Sequence, residues 1–398
     1  MLRFIAALLA LATVVQPLVC TSPPSKTALL KTLLLEDLSQ LTQTLEGAGR
    51  AKLVMEHLIQ GVDPSSSLSL LTPIEIKNSH IGNTKISKKL HDKLSTMYSP
   101  ISSVASVSNT IISADRTAKF LIDLASDHNA VETVLIPFDN RRSSTLCVSS
   151  QIGCKQGCKF CATGKMGLVR NLSTEEIMAQ VFLALQFVRE RNEFVIDNIV
   201  FMGMGEPTDN LQSVLAAAEL MSSVYKLARN KIIISTIAPT RGILALLGRS
   251  PVAVAWSVHA VDDDLRKRLV PTTTERMVDL RDAFIDTFNF HRVSKAKRVL
   301  MIEYVLIDGV NDGEDHAEAL AQFVQKFKEN CIKIIVNAIP FNDIGGGGNI
   351  GFQKPSEERI AKFQKVLMDN KVVCYVRAVR GDDESSACGQ LATQRKDI

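Results

Sequence analysis

No Asp or Glu occurs in the first 35 residues of this 398-residue chain; Glu36 is the first acid. Long apolar runs are missing as well. The stretch at residues 4–15 falls short of the roughly 20 apolar residues that a membrane-spanning helix needs, so no stable membrane association is expected. Arg3 precedes that stretch, and Gln16-Pro17 and Thr21-Ser22-Pro23-Pro24-Ser25 follow it. A charged start, an apolar middle and a Ser/Pro-rich end together read as a targeting or signal segment over residues 1–26. Cysteine is sparse, with eight in the chain, which excludes a small disulfide-stapled scaffold. Charge of one sign is lacking too: 46 Lys and Arg against 42 Asp and Glu leave +4, too mild by itself to mark a nucleic-acid binder. Local basic clusters occur at Arg266-Lys267-Arg268 and at His291, Arg292, Lys295, Lys297 and Arg298. Taken singly, each reads first as a solvated face.

What is present is concentrated in one loop. Cys154, Cys158 and Cys161 lie in Gly153-Cys154-Lys155-Gln156-Gly157-Cys158-Lys159-Phe160-Cys161. Three thiolates fall one short of a closed tetrahedral zinc site, and no further Cys or His follows before His259. Iron–sulfur clusters are held by cysteine thiolates, and three of them leave one iron open to a reacting ligand. Redox chemistry on a bound small molecule is the expectation, with a zinc knuckle as the alternative. An oxidising compartment would damage such a centre. The leader is therefore read as an organelle address, chloroplast before mitochondrion. A plain signal peptide, or a cytoplasmic protein with a misplaced start, is the fallback.

The length allows one large domain and one smaller one. Leu29, Leu30, Leu33, Leu34, Leu38 and Leu41 recur at helical spacing, and a second helix is expected near residues 87–97. Residues 27–125 thus read as a small helical accessory domain. Beyond about residue 140, apolar runs at 145–148, 198–204, 231–237, 252–258, 298–307, 332–339 and 372–376 alternate with amphipathic stretches at 174–189, 211–227, 278–290, 315–327 and 357–368. Continuously apolar strands separated by helices predict an α/β fold whose parallel sheet closes, at least partly, into a barrel. Candidate residues follow the strands: Cys154, then Gly205 and Glu206, Ser235, Ser257 and His259, and Asn337. Gly346 to Gly351 match G-x-G-x-x-G, but Phe352-Gln353-Lys354-Pro355 separate them from the next helix, so the segment reads as a loop rather than a dinucleotide site.

Read with its flanks, the cysteine loop is similar to the radical S-adenosylmethionine (SAM) superfamily, and it resembles one branch, the RlmN/Cfr adenine methyltransferases. The resemblance runs through Thr145-Leu146-Cys147, Cys161-Ala162-Thr163-Gly164-Lys165, Gly203-Met204-Gly205-Glu206-Pro207, Ser257-Val258-His259-Ala260, Glu303-Tyr304-Val305, Asn337-Ala338-Ile339-Pro340 and Ala387-Cys388-Gly389-Gln390-Leu391. It implies a partial (β/α)6-type radical SAM barrel over residues 126–392, with 393–398 as a tail. It further implies one 4Fe–4S cluster on Cys154, Cys158 and Cys161, and SAM held by Gly205, Glu206, Ser235, Ser257, Val258, His259 and Asn337. In such enzymes Cys388 would carry a methyl group, Cys147 would release the product by forming a disulfide, and Glu132 would act as acid or base. The implied substrate is an adenine of ribosomal RNA, and in some members of transfer RNA, methylated at C2. The implied partners are that RNA, gripped in part by residues 27–125, and a ferredoxin- or flavodoxin-type electron donor; a monomer is expected. Methylation at C8 within the same branch is one alternative. An iron–sulfur or zinc protein that binds RNA without catalysis is another, against which Cys147, Cys388 and Gly205-Glu206-Pro207 argue.

Overall fold

The structure is a computed structural model and describes residues 31–70, 72, 74, 84–138, 141–248, 250, 252–291, 299–344, 351–378, 380–381 and 385–393. The expected targeting segment, the basic residues at 292–298, the glycines at 346–348 and the tail beyond residue 393 lie outside the described residues.

Three strands come first: β1 Ala105–Ile112, β2 Ala118–Leu124 and β3 Ala130–Pro137. They are followed by β4 Ser143–Cys147, the short pair β5 Gln151–Cys154 and β6 Gly167–Asn171, and then β7 Val195–Phe201, β8 Ile232–Thr236, β9 Ala253–Ser257, β10 Val299–Leu306, β11 Lys333–Pro340 and β12 Val373–Val376. All but β5 and β6 join one sheet in the order β1-β2-β3-β4-β7-β8-β9-β10-β11-β12. From β4 to β12 every pairing is parallel. Every apolar run expected from residue 145 onward is therefore a strand of the partial barrel. Their continuous apolarity has the anticipated cause, since β8 is buried at all five positions.

The helices are α1 Leu38–Thr44, α2 Ala48–Ile59, α3 Lys88–Met97, α4 Ala162–Met166, α5 Thr174–Arg191, α6 Leu211–Ser223, α7 Arg241–Leu247, α8 Asp263–Leu269, α9 Met277–His291, α10 Glu314–Glu329 and α11 Glu357–Asp369. Helix α5 begins with a reciprocal capping box between Ser173 and Glu176 and ends at left-handed Asn192. The core centres on Trp256 of β9, which packs on Phe284 of α9 and on Phe323 and Phe327 of α10, with ring centroids 4.7, 5.8 and 6.4 Å away.

Two expectations are corrected. Residues 27–125 are not helical throughout, because β1 and β2 extend the catalytic sheet antiparallel through β3. Most of β1 is exposed, so an edge strand of this kind leaves no apolar run to read. Cys154 does not simply follow the first parallel strand either. It ends β5, half of a two-stranded ribbon with β6, whose four- and five-residue strands are too short for a periodicity signal. Among the described residues no helix is long and apolar enough to cross a membrane.

Candidate active site

The cysteine loop leaves β5 and is pinned from several sides. Gly153 takes φ +71°, and a side chain there would run into the Gly167 carbonyl, so only glycine lets the ribbon close. Lys155 pairs with Asp209 at 2.9 Å. Gln156 bonds Asp209 and Thr272, and the Lys159 N–H donates to the Leu269 carbonyl of α8 at 2.9 Å. Cys154, Cys158 and Cys161 all line one open cleft of about 960 Å³, counted to its mouth. Burial pushes the Cys154 thiol up to about 12. Burial, reinforced by Cys161, also raises Cys158. Their metal-free form is thus the neutral thiol, and binding a metal would release protons. Among the described residues no three His, Cys, Asp or Glu side chains are grouped tightly enough for a single metal ion. The three cysteines instead surround a space that also receives ligand-binding groups, and their soft donors suit an iron–sulfur cluster.

Those groups come from the C-terminal ends of the strands, as in barrel enzymes generally. Gly205 (φ +97°) turns the chain after β7 against the Gln151 side chain, leaving no room for a Cβ. The Gln151 Oε1 in turn accepts from Glu206 N–H at 2.8 Å. Glu206 is buried, and its carboxylate accepts from Thr208 N–H and hydroxyl and from Ile237 N–H. Burial raises its pKa while these donors pull it back down. Ser235 and Ser257 line the same cleft with their hydroxyls 3.2 Å apart. His259, at φ +57°, holds its ring edge-on to Phe160 with centroids 4.6 Å apart. Its Nδ1 accepts from Val305 N–H at 3.0 Å, so the ring is neutral, and burial keeps it so.

Cys388 lies in the wall shared by this cleft and a second cavity lined by Cys147, Met202 and Arg377. Its segment is bolted to α4, directly after Cys161. Ala162 N–H donates to the Gly389 carbonyl at 2.7 Å, and the Thr163 hydroxyl donates to the Leu391 carbonyl at 2.5 Å. Asn342 holds the Cys388 carbonyl at 3.0 Å. Burial and the neighbouring Cys388 push the Cys147 thiol up to about 12, and Arg377 opposes them. Cys388 keeps an exposed surface in this wall, yet the protein packed around it disfavours its thiolate and raises its pKa, again against Arg377. Burial disfavours the Arg377 charge, yet Cys388, Glu303 and Cys147 around it turn the net shift upward.

The expected residues do not all face the clefts. Val258 is wholly buried; its N–H donates to the Glu303 carbonyl and its own carbonyl accepts from Arg266. Asn337 gives its amide to Glu303 at 2.9 Å. Glu132 is buried beneath the C-terminal segment, where its carboxylate accepts from Ala392 N–H at 3.0 Å and lies 3.4 Å from the Lys119 ammonium. Val134 and Ile136, on the same face of β3, line the Cys147 cavity.

Matches to known proteins agree with this geometry. The model of the radical SAM superfamily matches residues 148–323. The dual-specificity RNA methyltransferase RlmN of Francisella tularensis subsp. mediasiatica (strain FSC147) is 39% identical over 285 residues, 70% of this chain and 74% of the relative. The chain belongs to the RlmN/Cfr family. A crystal structure of a radical SAM methyltransferase from Sphaerobacter thermophilus superposes with TM-score 0.75 at 32% identity, covering 91% of this chain and 99% of that one. This RlmN/Cfr protein is thus a radical SAM methyltransferase, and its family implies a 4Fe–4S cluster and SAM.

Sequence reasoning missed three side chains. Arg377 follows a short strand and matches no periodic pattern. Glu303 is quoted in a motif, but its place beside Asn337 depends on the β10–β11 register. Arg266 is the correction: read as part of a solvated basic face, it is wholly buried, and only Lys267 and Arg268 are exposed. Leu265, Arg266 and Leu269 form the inward face of α8, and that spacing was the available signal.

Proposed function

We propose that this chain methylates C2 of an adenine in ribosomal RNA, and also in transfer RNA, with Cys388 carrying the transferred carbon. The observation that carries the reading is the position of Cys388. This one cysteine lines both the cleft with the three loop cysteines and the cavity with Cys147. The printed name of the Francisella relative, an RNA methyltransferase, supports RNA as the substrate class.

Cys154, Cys158 and Cys161 would hold the cluster, and Gly205, Glu206, Ser235, Ser257 and His259 would hold SAM. Together these cofactors supply a methyl group and one-electron chemistry that generates a carbon radical. The chain's own groups do the rest. Cys388 loses its thiol proton and takes the methyl carbon, and the Arg377 guanidinium beside it favours the thiolate. Glu132 accepts the proton that the adenine ring gives up. With the carried carbon now bonded to the ring, the Cys147 thiolate attacks the Cys388 sulfur; an S–S bond forms, the S–C bond breaks, and its electron pair stays with the carbon, which takes a proton to complete the methyl group as the base leaves. An adenine must leave its stack to meet Cys388. Residues 27–125 would hold the RNA by phosphate and shape, a ferredoxin- or flavodoxin-type protein would supply electrons, and the chain would act as a monomer. Residues 1–26 would deliver it to a chloroplast.

Cys388→Ala in anaerobically reconstituted protein tests this reading. Methylation of RNA should fall below detection while iron content is unchanged; methylated RNA from that variant would refute the carrier role. Product mapping against C2- and C8-methyladenine standards decides the ring position, and a C8 product would replace that part of the proposal.

A further inference from the structure

Among the described residues, Arg266 is a buried cation whose hydrogen bonds run only to neutral groups. It is 0% exposed. Its Nη1 donates to the Val258 carbonyl at 2.6 Å and its Nη2 to the Ile237 carbonyl at 2.9 Å, while its Nε has no partner. Glu206 acts on it electrostatically, but the Glu206 oxygens are engaged by Thr208 and by the Ile237 N–H. A charge removed from water is costly unless an opposite charge offsets it. Nothing in the methyl-transfer steps above uses this one.

Its surroundings indicate the missing anion. Leu265 and Leu269, which flank Arg266 on α8, pack with Phe160, Cys158 and Cys161 in one apolar cluster. The Lys159 N–H holds the Leu269 carbonyl, so the cysteine loop and α8 are joined at the backbone. As a neutral thiol Cys158 offers nothing to offset; as a thiolate ligand of a cluster it does.

We propose that Arg266 is a positioning residue whose fixed positive charge offsets the thiolate-bound cluster at Cys158 and raises its reduction potential. The inference rests on a cluster held by Cys154, Cys158 and Cys161. Reduction adds one electron to that cluster, so a nearby cation stabilises the reduced form more than the oxidised one. Net charge and burial are the levers by which proteins tune such potentials. The two carbonyl bonds fix where the charge sits: Ile237 lines the cleft, and Val258, itself buried, lies between the cleft residues Ser257 and His259.

The test uses the full chain, reconstituted without oxygen and kept free of SAM, as wild type, Arg266→Gln and Arg266→Lys. Iron is quantified first, and the cluster is then titrated with a redox mediator series followed by electron paramagnetic resonance. At a fixed potential the Arg266→Gln protein should show a reduced-to-oxidised ratio lower by about tenfold, which is about 59 mV for a one-electron couple. Arg266→Lys, which keeps the charge, should stay nearer to wild type. Loss of the cluster in Arg266→Gln but not in Arg266→Lys also supports the charge. An unshifted potential at full iron content overturns the inference alone. So does an unshifted potential accompanied, in a separate equilibrium dialysis with labelled SAM, by weakened SAM binding, which would assign the charge to the SAM carboxylate. Loss of the cluster in both variants overturns it in favour of packing. Wild-type protein without iron would instead overturn the cluster itself.

Discussion

Glu132 shows how far a single residue can be placed before its surroundings are known. Its match to a family pattern marks it as acid or base, but only the fold shows what sets its proton affinity. Burial holds its carboxyl above the ordinary value of 4.5, and Lys119 pulls it down. A carboxylate accepts a proton only when ionised, so methylation should fall as pH drops through the Glu132 pKa, with an acid limb above the usual carboxylate range. Lys119→Met removes a lowering influence and should move that limb to higher pH. Lys119 also donates to the Ser385 carbonyl, so the plateau rate should fall as well. A pH–rate profile of both proteins checks the shift, and coincident limbs would remove Glu132 from proton transfer. Cys154, Cys158, Cys161, Cys147 and Cys388 were legible because their side-chain chemistry is rare and their flanks distinctive. Arg377 and Glu303 were not, because each acquires its neighbours from strands far apart in sequence.

At the scale of elements, the glycines that end strands govern the ligand cleft. Gly205 occupies left-handed backbone, and an added Cβ would lie 2.5 Å from the Gln151 Cβ. Gly205→Ala should therefore displace Gln151, loosen its bond to Glu206 N–H and weaken SAM binding at least tenfold, about 1.4 kcal/mol. Equilibrium dialysis with labelled SAM measures this, and wild-type affinity would show that the turn does not shape the site. The parallel strands and their covering helices were readable because apolar runs buried on both faces carry their own signal. The run at 231–237, for example, became β8 within a residue at each end. The β5–β6 ribbon was not readable, since β6 is exposed at four of its five positions and shows no apolar face, and its closure depends on Gly153 meeting the Gly167 carbonyl.

At the scale of the whole molecule, the N-terminal third and the barrel share one sheet. Phe120, Ile122 and Leu124 of β2 are at most 1% exposed and belong to the main core, and Phe120 stacks edge-on to Phe187 of α5 at 4.9 Å. Burying each such side chain contributes about 1.5–3 kcal/mol. A chain beginning at residue 126 would lose these contacts and leave β3 as an unpaired edge, a template for aggregation. It should elute as aggregate in size-exclusion chromatography and retain little iron. A monomeric, iron-replete product would mean that the barrel folds without β1 and β2. The carrier chemistry rests on two cysteines, and one measurement reaches both. Cys147→Ala protein, incubated without oxygen with SAM, reductant and RNA, is digested and its Cys388 peptide weighed by mass spectrometry. A nucleotide joined to Cys388 through one carbon is expected, because no thiolate is present at position 147 to release it. Free, unmodified Cys388 alongside methylated RNA would contradict it.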